Sequence, residues 1–189
     1  MFLPTGDNYT EMTPTEFEKV VLSELKSQFT SQSVSDYSFE HNVVEYVYDG
    51  SYQIDGEIKF ISMGVEFKIL VECKHYKNPV KREQIQALYD KIRALGAHKG
   101  IFVTTSSFQS GAIKYATAHG IALISVIDGK LTYETRSFET HEPIYYPPDI
   151  PKYKMILQTS EQENIISCST LYSGSKALLE FITKKAVVI

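Results

Sequence analysis

The apolar run Ile69-Leu-Val71 stops abruptly on Glu72-Cys-Lys74. A short run of branched residues ending in charge reads as a buried strand that reaches the rim of its sheet. Strand side chains alternate between faces, so Glu72 and Lys74 point the same way, about 7 Å apart along the strand. Cys73 points the other way, with Val71. Upstream, the stretch through Asp55-Gly-Glu-Ile-Lys-Phe60 also reads as a strand, with a turn at Gly64 between the two. If the two strands pair through that turn, Asp55 comes alongside. Two carboxylates and one lysine then meet where a buried strand runs out.

That trio has a definite chemical use. Two carboxylates suit Mg²⁺, a hard cation that keeps several waters and accepts substrate phosphate oxygens. The main-chain carbonyl of Cys73 is a candidate third ligand. A bound metal lowers the pKa of its water and offsets charge on a scissile phosphate. Lys74 would orient or deprotonate that water and help stabilise the transition state. The plainer alternative is a solvated cross-strand ion pair worth little. An isolated Glu-x-Lys reads that way first, and the upstream Asp55 shifts the balance toward chemistry.

Charge along the chain is uneven. The net charge is −4, which argues against a general affinity for nucleic acid. Yet residues 1–73 carry 4 basic and 13 acidic groups, and residues 74–99 carry 7 basic and 2 acidic. The basic segment (Lys74, Lys77, Lys81, Arg82, Lys91, Arg93, Lys99) directly follows the Glu72/Lys74 pair. A polyanion is drawn to such a place. A solvated helix face is the alternative. The length of 189 residues suggests one domain with room for an appendage. The opening Met-Phe-Leu-Pro has no basic region and no long apolar core, so it does not read as a signal peptide. No apolar run approaches the roughly 20 residues that span a membrane. The two cysteines, Cys73 and Cys168, lack metal-ligand spacing and fit a reducing cytoplasm.

Taken in order, residues 1–12 read as an irregular lead-in. Thr13-Pro-Thr-Glu16 is a capping box with Pro at the first helical position. Phe17, Val20, Val21, Leu25 and Phe29 recur at helical spacing, which predicts a helix over 14–29. Glu18 lies beside that stripe. It either joins a metal site at the edge of the core or is simply a first-turn acid favoured by the helix dipole. Strands are predicted at 37–48, 52–62 and 65–75, as an antiparallel meander because the connections are too short for crossovers. Asn78-Pro79 breaks the chain. A helix then runs from about Val80 until Gly96 closes it, with Gln84 and Gln86 on its flanks.

A strand at 100–104, a helix at roughly 108–119 and a strand at 121–126 predict a right-handed parallel β-α-β unit. The hydroxyl run Thr104-Thr-Ser-Ser107 is either a phosphate site at a helix N-terminus or ordinary N-capping. Asp128-Gly129 reads as a turn. Four of the seven prolines fall between Pro143 and Pro151, which reads as an extended boundary. Strands near 153–158 and 164–170 and a helix near 175–185 follow. The expected division is a catalytic domain over 1–132, a Pro/Tyr-rich connector over 133–152 and a small C-terminal extension over 153–189.

Helix, three-strand meander, helix, strand, helix, strand, with acids on the first helix and on the second and third strands, resembles the restriction-endonuclease-like fold and its Asp…Glu-x-Lys signature. More narrowly, the chain resembles the Mrr-like restriction endonuclease family. The residues that carry this are Thr15-Glu-Phe-Glu18, Ile54-Asp-Gly56 and Val71-Glu-Cys-Lys-His-Tyr-Lys-Asn-Pro-Val80. Lys99-Gly-Ile-Phe-Val-Thr-Thr-Ser-Ser-Phe108 with Ala112 and Ala116, and Gly120-Ile-Ala-Leu-Ile124, also match. The likeness covers roughly residues 13–132. One departure is Ser51-Tyr-Gln-Ile54 before Asp55, where the family often has a richer glycine run.

The resemblance implies an α/β fold with a mixed central sheet, an antiparallel meander plus a parallel β-α-β unit, flanked by helices. It implies an Mg²⁺-dependent endodeoxyribonuclease, with Mn²⁺ as a substitute, that acts in defence against foreign or modified DNA. Asp55 and Glu72 would be the metal ligands, Lys74 the catalytic lysine and Glu18 an acid that aids metal binding. Lys77, Lys81, Arg82 and Gln86 would contact DNA. A homodimer is expected, since cutting both strands at once takes two sites. No helix-turn-helix reader is recognisable, so the expectation is weak sequence preference or a partner that supplies specificity or activation. Two alternatives remain on this fold: a non-cleaving nucleic-acid-binding or assembly module, and a junction-resolving nuclease for branched DNA. A Rossmann-like small-molecule enzyme is disfavoured, because Gly-x-Gly-x-x-Gly is missing.

Overall fold

The computed structural model describes residues 12–29, 35–62, 64–128, 153–162, 165–172 and 175–183. Helix α1 (Pro14–Phe29) starts at the capping box read above. The N–H of Thr13 donates to the Glu16 carboxylate at 2.8 Å, and the N–H of Glu16 donates back to Thr13 Oγ1 at 3.3 Å. Strands β1 (Ser35–Val47), β2 (Gly50–Ser62) and β3 (Val65–Lys74) follow as the expected antiparallel meander. Then come α2 (Arg82–Ala94), β4 (Lys99–Thr104), α3 (Ser110–His119) and β5 (Ile121–Asp128). Strands β6 (Tyr153–Gln162) and β7 (Ile165–Leu171) and a short helix α4 (Ala177–Thr183) complete the described elements.

The seven strands form one mixed sheet in the order β1-β2-β3-β4-β5-β6-β7. Its centre, β3-β4-β5, is parallel, with α2 and α3 as the crossovers. Both flanks are antiparallel. The tail beyond residue 152 therefore carries the same sheet onward from β5. Gly129 and the proline-rich boundary from Pro143 to Pro151 lie outside the described residues.

Strand alternation divides the core into two layers. Ile69, Val71, Cys73, Ile101, Val103, Ala122 and Ile124 pack with Phe17, Val21, Leu22 and Leu25 of α1 and with Leu178 and Ile182 of α4. Leu70, Phe102 and Leu123 pack on the other face with Ile85, Leu88 and Ile92 of α2 and Ala112, Ile113 and Ala116 of α3. Burying one such large side chain stabilises the fold by about 1.5–3 kcal/mol. Among the described residues, no helix is long and apolar enough to cross a membrane.

One glycine sets the spacing of α1 against the sheet. A Cβ at Gly56 would come within 2.5 Å of the Leu22 side chain. A side chain here would make Leu22 or the helix shift, next to Asp55.

Candidate active site

The main-chain ladder between β2 and β3 runs from Ser62 opposite Val65 to Gly56 opposite Val71. There it ends, and the next rung is made by a side chain. Asp55 Oδ2 accepts the N–H of Cys73 at 2.8 Å. The N–H and C=O of one strand residue point to the same side, so the Cys73 carbonyl also faces Asp55. The next carbonyl, that of Lys74, points the opposite way and accepts the Thr104 hydroxyl at 2.9 Å. The site thus opens at a fork, where β2 stays with β1 and β3 stays with β4.

Lys74 bridges the two acids at this fork. Its Nζ lies 2.5 Å from Glu72 Oε1 and 3.4 Å from Asp55 Oδ2. Burial disfavours the Lys74 ammonium, but the hydrogen bond and charge of Glu72, and then the charge of Asp55, outweigh it and hold its pKa above the usual lysine value. In this arrangement Lys74 can orient water and stabilise negative charge, but it has no lone pair to accept a proton. Of the two roles allowed from sequence, the geometry favours the first.

Asp55, Glu72 and Lys74 are therefore brought together as expected. Glu18 is paired with a histidine: its Oε2 lies 2.7 Å from Nε2 of His41 on β1. Its charge reaches the Cys73 thiol on the α1 side: burial first, and then the charges of Asp55, Glu18 and Glu72, push that thiol well above its ordinary pKa. Among the described residues, no three His, Cys, Asp or Glu side chains gather closely enough to hold one ion. A cation at the fork would rest on Asp55, Glu72 and the Cys73 carbonyl. That all-oxygen set, two of its members anionic, fits the hard-ligand preference of Mg²⁺ and Mn²⁺.

The basic segment divides. Lys77 and Lys81 are exposed and line a cleft of about 440 Å³ with His75, Asn78 and Gln84, directly beyond the end of β3. Arg82 lies over the Tyr115 ring of α3, 5.0 Å from its centroid. Gln86 is exposed and Gln84 accepts the Lys81 N–H at 2.6 Å.

The hydroxyl run does not cap α3. The N-cap of α3 is Gln109, with no side-chain capping bond. Instead Thr104 holds the Lys74 carbonyl, and Thr105 Oγ1 donates to the Tyr76 carbonyl at 2.9 Å. These hydroxyls pin the segment that carries Lys74 and Lys77 to β4.

Two partners are invisible in the sequence pattern. His41 faces Glu18 only through the register of β1 against β2, where His41 pairs with Gly56. Lys91 belongs to the basic segment, yet it turns inward and its Nζ donates to Glu72 Oε2 at 2.8 Å. The helical spacing Ile85, Leu88, Ile92 places Lys91 beside the buried stripe of α2, and that is the one signal the sequence offers.

A mixed sheet forked at an Asp…Glu-x-Lys trio defines the class of protein. The chain belongs to the restriction endonuclease family, whose Mrr-type catalytic domain matches residues 9–130. It is 31% identical over 119 residues to the type IV methyl-directed restriction enzyme EcoKMrr of Escherichia coli K12. That match takes in 62% of this chain and 37% of the relative, so the chain spans little more than a third of that enzyme's length. Two solved structures are also similar. One is AF1548, a protein of unknown function, with 20% identity, a TM-score of 0.47 and coverage of 59% of this chain and 57% of that one. The other is the DNA modification-dependent restriction endonuclease AspBHI, with 19% identity, a TM-score of 0.40 and coverage of 60% and 29%.

Proposed function

We propose that this chain carries the catalytic domain of a divalent-metal-dependent endodeoxyribonuclease, with the chemistry in residues 1–132. The observation that carries the reading is Lys74, held between Asp55 and Glu72 at 3.4 and 2.5 Å where β2 and β3 part. Asp55, Glu72 and the Cys73 carbonyl would hold Mg²⁺ or Mn²⁺. Such a cation supplies an acidified water and offsets charge on the scissile phosphate. Lys74 presents its ammonium to the phosphate oxygen that gains charge as the water attacks. Asp55 keeps β2 and β3 in register at the fork through the Cys73 N–H. Lys77 and Lys81 lead the DNA backbone along the cleft beside the site. Glu18, tied to His41, adds negative charge from the α1 side.

The likeness to a methyl-directed enzyme supports modified DNA as the substrate class. A homodimer in the cytoplasm, acting in defence and drawing specificity or activation from another protein, completes the reading. The test is plasmid nicking with Mg²⁺ and with Mn²⁺, on methylated and unmethylated DNA, wild type beside Lys74→Ala. Metal-dependent cutting lost in the variant supports the nuclease. Equal cutting by both proteins rules out this site. DNA binding without metal binding or cutting would point instead to a non-cleaving module on the same fold.

A further inference from the structure

Glu72 is held from two sides, and the second hold comes from a residue the chemistry above does not use. Lys91 Nζ donates to Glu72 Oε2 at 2.8 Å and to the main-chain carbonyl of Gln53 at 2.8 Å. One ammonium thus ties α2 to β2 and to β3, at the level where those strands separate. An exposed lysine seldom keeps one geometry, because ordering its long side chain costs entropy. Two acceptors and a side chain only 22% exposed set Lys91 apart from that class.

The division of labour between the two oxygens of Glu72 decides what this hold does. Lys74 takes Oε1 and also reaches Asp55, so Oε1 is the oxygen on the Asp55 side. Lys91 takes Oε2, from the α2 side. A cation shared by Asp55 and Glu72 would take Oε1 and displace the Lys74 ammonium from between the acids. Lys91 can stay where it is. Once Lys74 has moved, Lys91 is the remaining side chain among the described residues that holds the Glu72 carboxylate.

We propose that Lys91 is a positioning residue, which fixes Glu72 through Oε2 so that Oε1 is presented to the divalent cation bound by Asp55. This rests on the reading of Asp55 and Glu72 as metal ligands. Groups that hydrogen-bond a ligating carboxylate orient it, and losing one costs about 10–100-fold in metal affinity. Repulsion between Lys91 and the cation acts the other way, but the negative Glu72 carboxylate lies between the two and offsets it. Nothing comparable limits the rotation of an untethered glutamate.

The experiment is a calorimetric titration of the full chain with Mn²⁺, run for wild type, Lys91→Met and Lys91→Arg, with thermal melts alongside. Lys91→Met is expected to bind Mn²⁺ about 10–100-fold more weakly. Lys91→Arg, which keeps the charge and N–H donors in a different geometry, should bind Mn²⁺ more tightly than Lys91→Met. Should Lys91→Met not fold, Lys91→Gln takes its place with the same expectation and the same contrary result. A folded Lys91→Met or Lys91→Gln variant that binds Mn²⁺ as tightly as wild type, or more tightly, overturns the proposal, even if it melts lower. Lys91 would then be a structural tie between α2 and β2. A wild type that binds no Mn²⁺ removes the metal reading of Asp55 and Glu72, and the proposal with it.

Discussion

Asp55 extends the β2–β3 ladder with its own side chain, taking the Cys73 N–H at 2.8 Å one step beyond the last main-chain pair, Gly56 and Val71. The same carboxylate is thus both a structural acceptor and a candidate ligand, and two substitutions separate these roles. Asp55→Asn keeps an acceptor oxygen and should melt close to wild type while losing Mn²⁺ binding. Asp55→Ala leaves a part-buried N–H without a partner and should lose a further 1–3 kcal/mol or so of stability. Urea melts beside metal titrations check both. Intact Mn²⁺ binding by Asp55→Asn would remove Asp55 from the metal site.

Gly56→Ala tests how tightly α1 must dock. The added methyl would lie 2.5 Å from Leu22, so the Leu22 side chain or the helix has to give way. Overpacking of this kind costs about 1–3 kcal/mol. Because Glu18 lies on the same helix, the substitution should also lower DNA cleavage without touching an acid of the site. Nicking rates and chemical melts on one preparation read both effects. Wild-type values in both would mean that the helix yields without cost.

Glu57, two residues beyond Asp55 on β2, gives the fold an acid-sensitive increment. It is buried, 1% exposed, with Lys59 on one carboxylate oxygen at 2.5 Å and Lys68 3.3 Å from the other. Burial pushes its carboxyl up, but the hydrogen bonds with Lys59 and with Glu45, and then the charges of Lys59 and Lys68, outweigh this and hold it below the usual range. A depressed folded pKa means stability that is present above the unfolded value of about 4.3 and lost as pH falls through the folded one. Glu57→Gln should therefore melt lower than wild type at pH 7, with the gap narrowing toward about pH 3. Parallel melting curves from pH 7 to 3 would show that Glu57 contributes no acid-sensitive stability.

The two thiols should behave differently. Cys73 is buried and its pKa is pushed well up, first by burial and then by Asp55, Glu18 and Glu72, whereas Cys168 is exposed. An alkylating reagent needs the thiolate. Native protein at neutral pH should take one label, on Cys168, and unfolded protein should take two. Peptide mass mapping reads the positions. Rapid native labelling of Cys73 would mean that the fork opens far more readily than its packing indicates.

Lys77 and Lys81 should act through phosphate rather than through bases. Each Lys→Ala substitution should weaken DNA binding alike for different sequences. Each should also flatten the dependence of log K on log salt by about 0.9 for every phosphate that is no longer neutralised. Titrations at several salt concentrations would show this, and an unchanged slope would take that lysine out of the interface.

How far the sequence can be read depends on the range of each signal. Alternation along β3 puts Glu72 and Lys74 on one side, and the turn at Gly64 brings β2 back beside them, so the trio is legible from local pattern. The capping box at Thr13 and the closing Gly96 are local too. Lys91 is not legible, because its contact with Glu72 depends on how α2 rolls against β3. His41 is not, because its place opposite Gly56 depends on the register of β1. The hydroxyls after β4 mislead because a Thr or Ser can bond a neighbouring helix or a distant carbonyl with equal ease. Here the strand-end carbonyls of Lys74 and Tyr76 take them. Gly56 stands out in sequence only as part of a motif, and its reason, the approach of Leu22, exists only in three dimensions.

The family match ends at residue 130, just past β5, whereas the sheet does not. A chain cut there would leave β5 as an outer strand, its main-chain donors and acceptors open to any passing strand of another molecule. In this protein β6 occupies that side from Leu123 to Asp128, and β7 beyond it moves the free border outward. That border carries Ser167, Ser169 and Thr170, all exposed, in place of the Ile-Ala-Leu-Ile124 run of β5. Among the described residues, the tail thus keeps the main chain of β5 paired and presents a margin of mostly hydroxyl side chains beside Ile166.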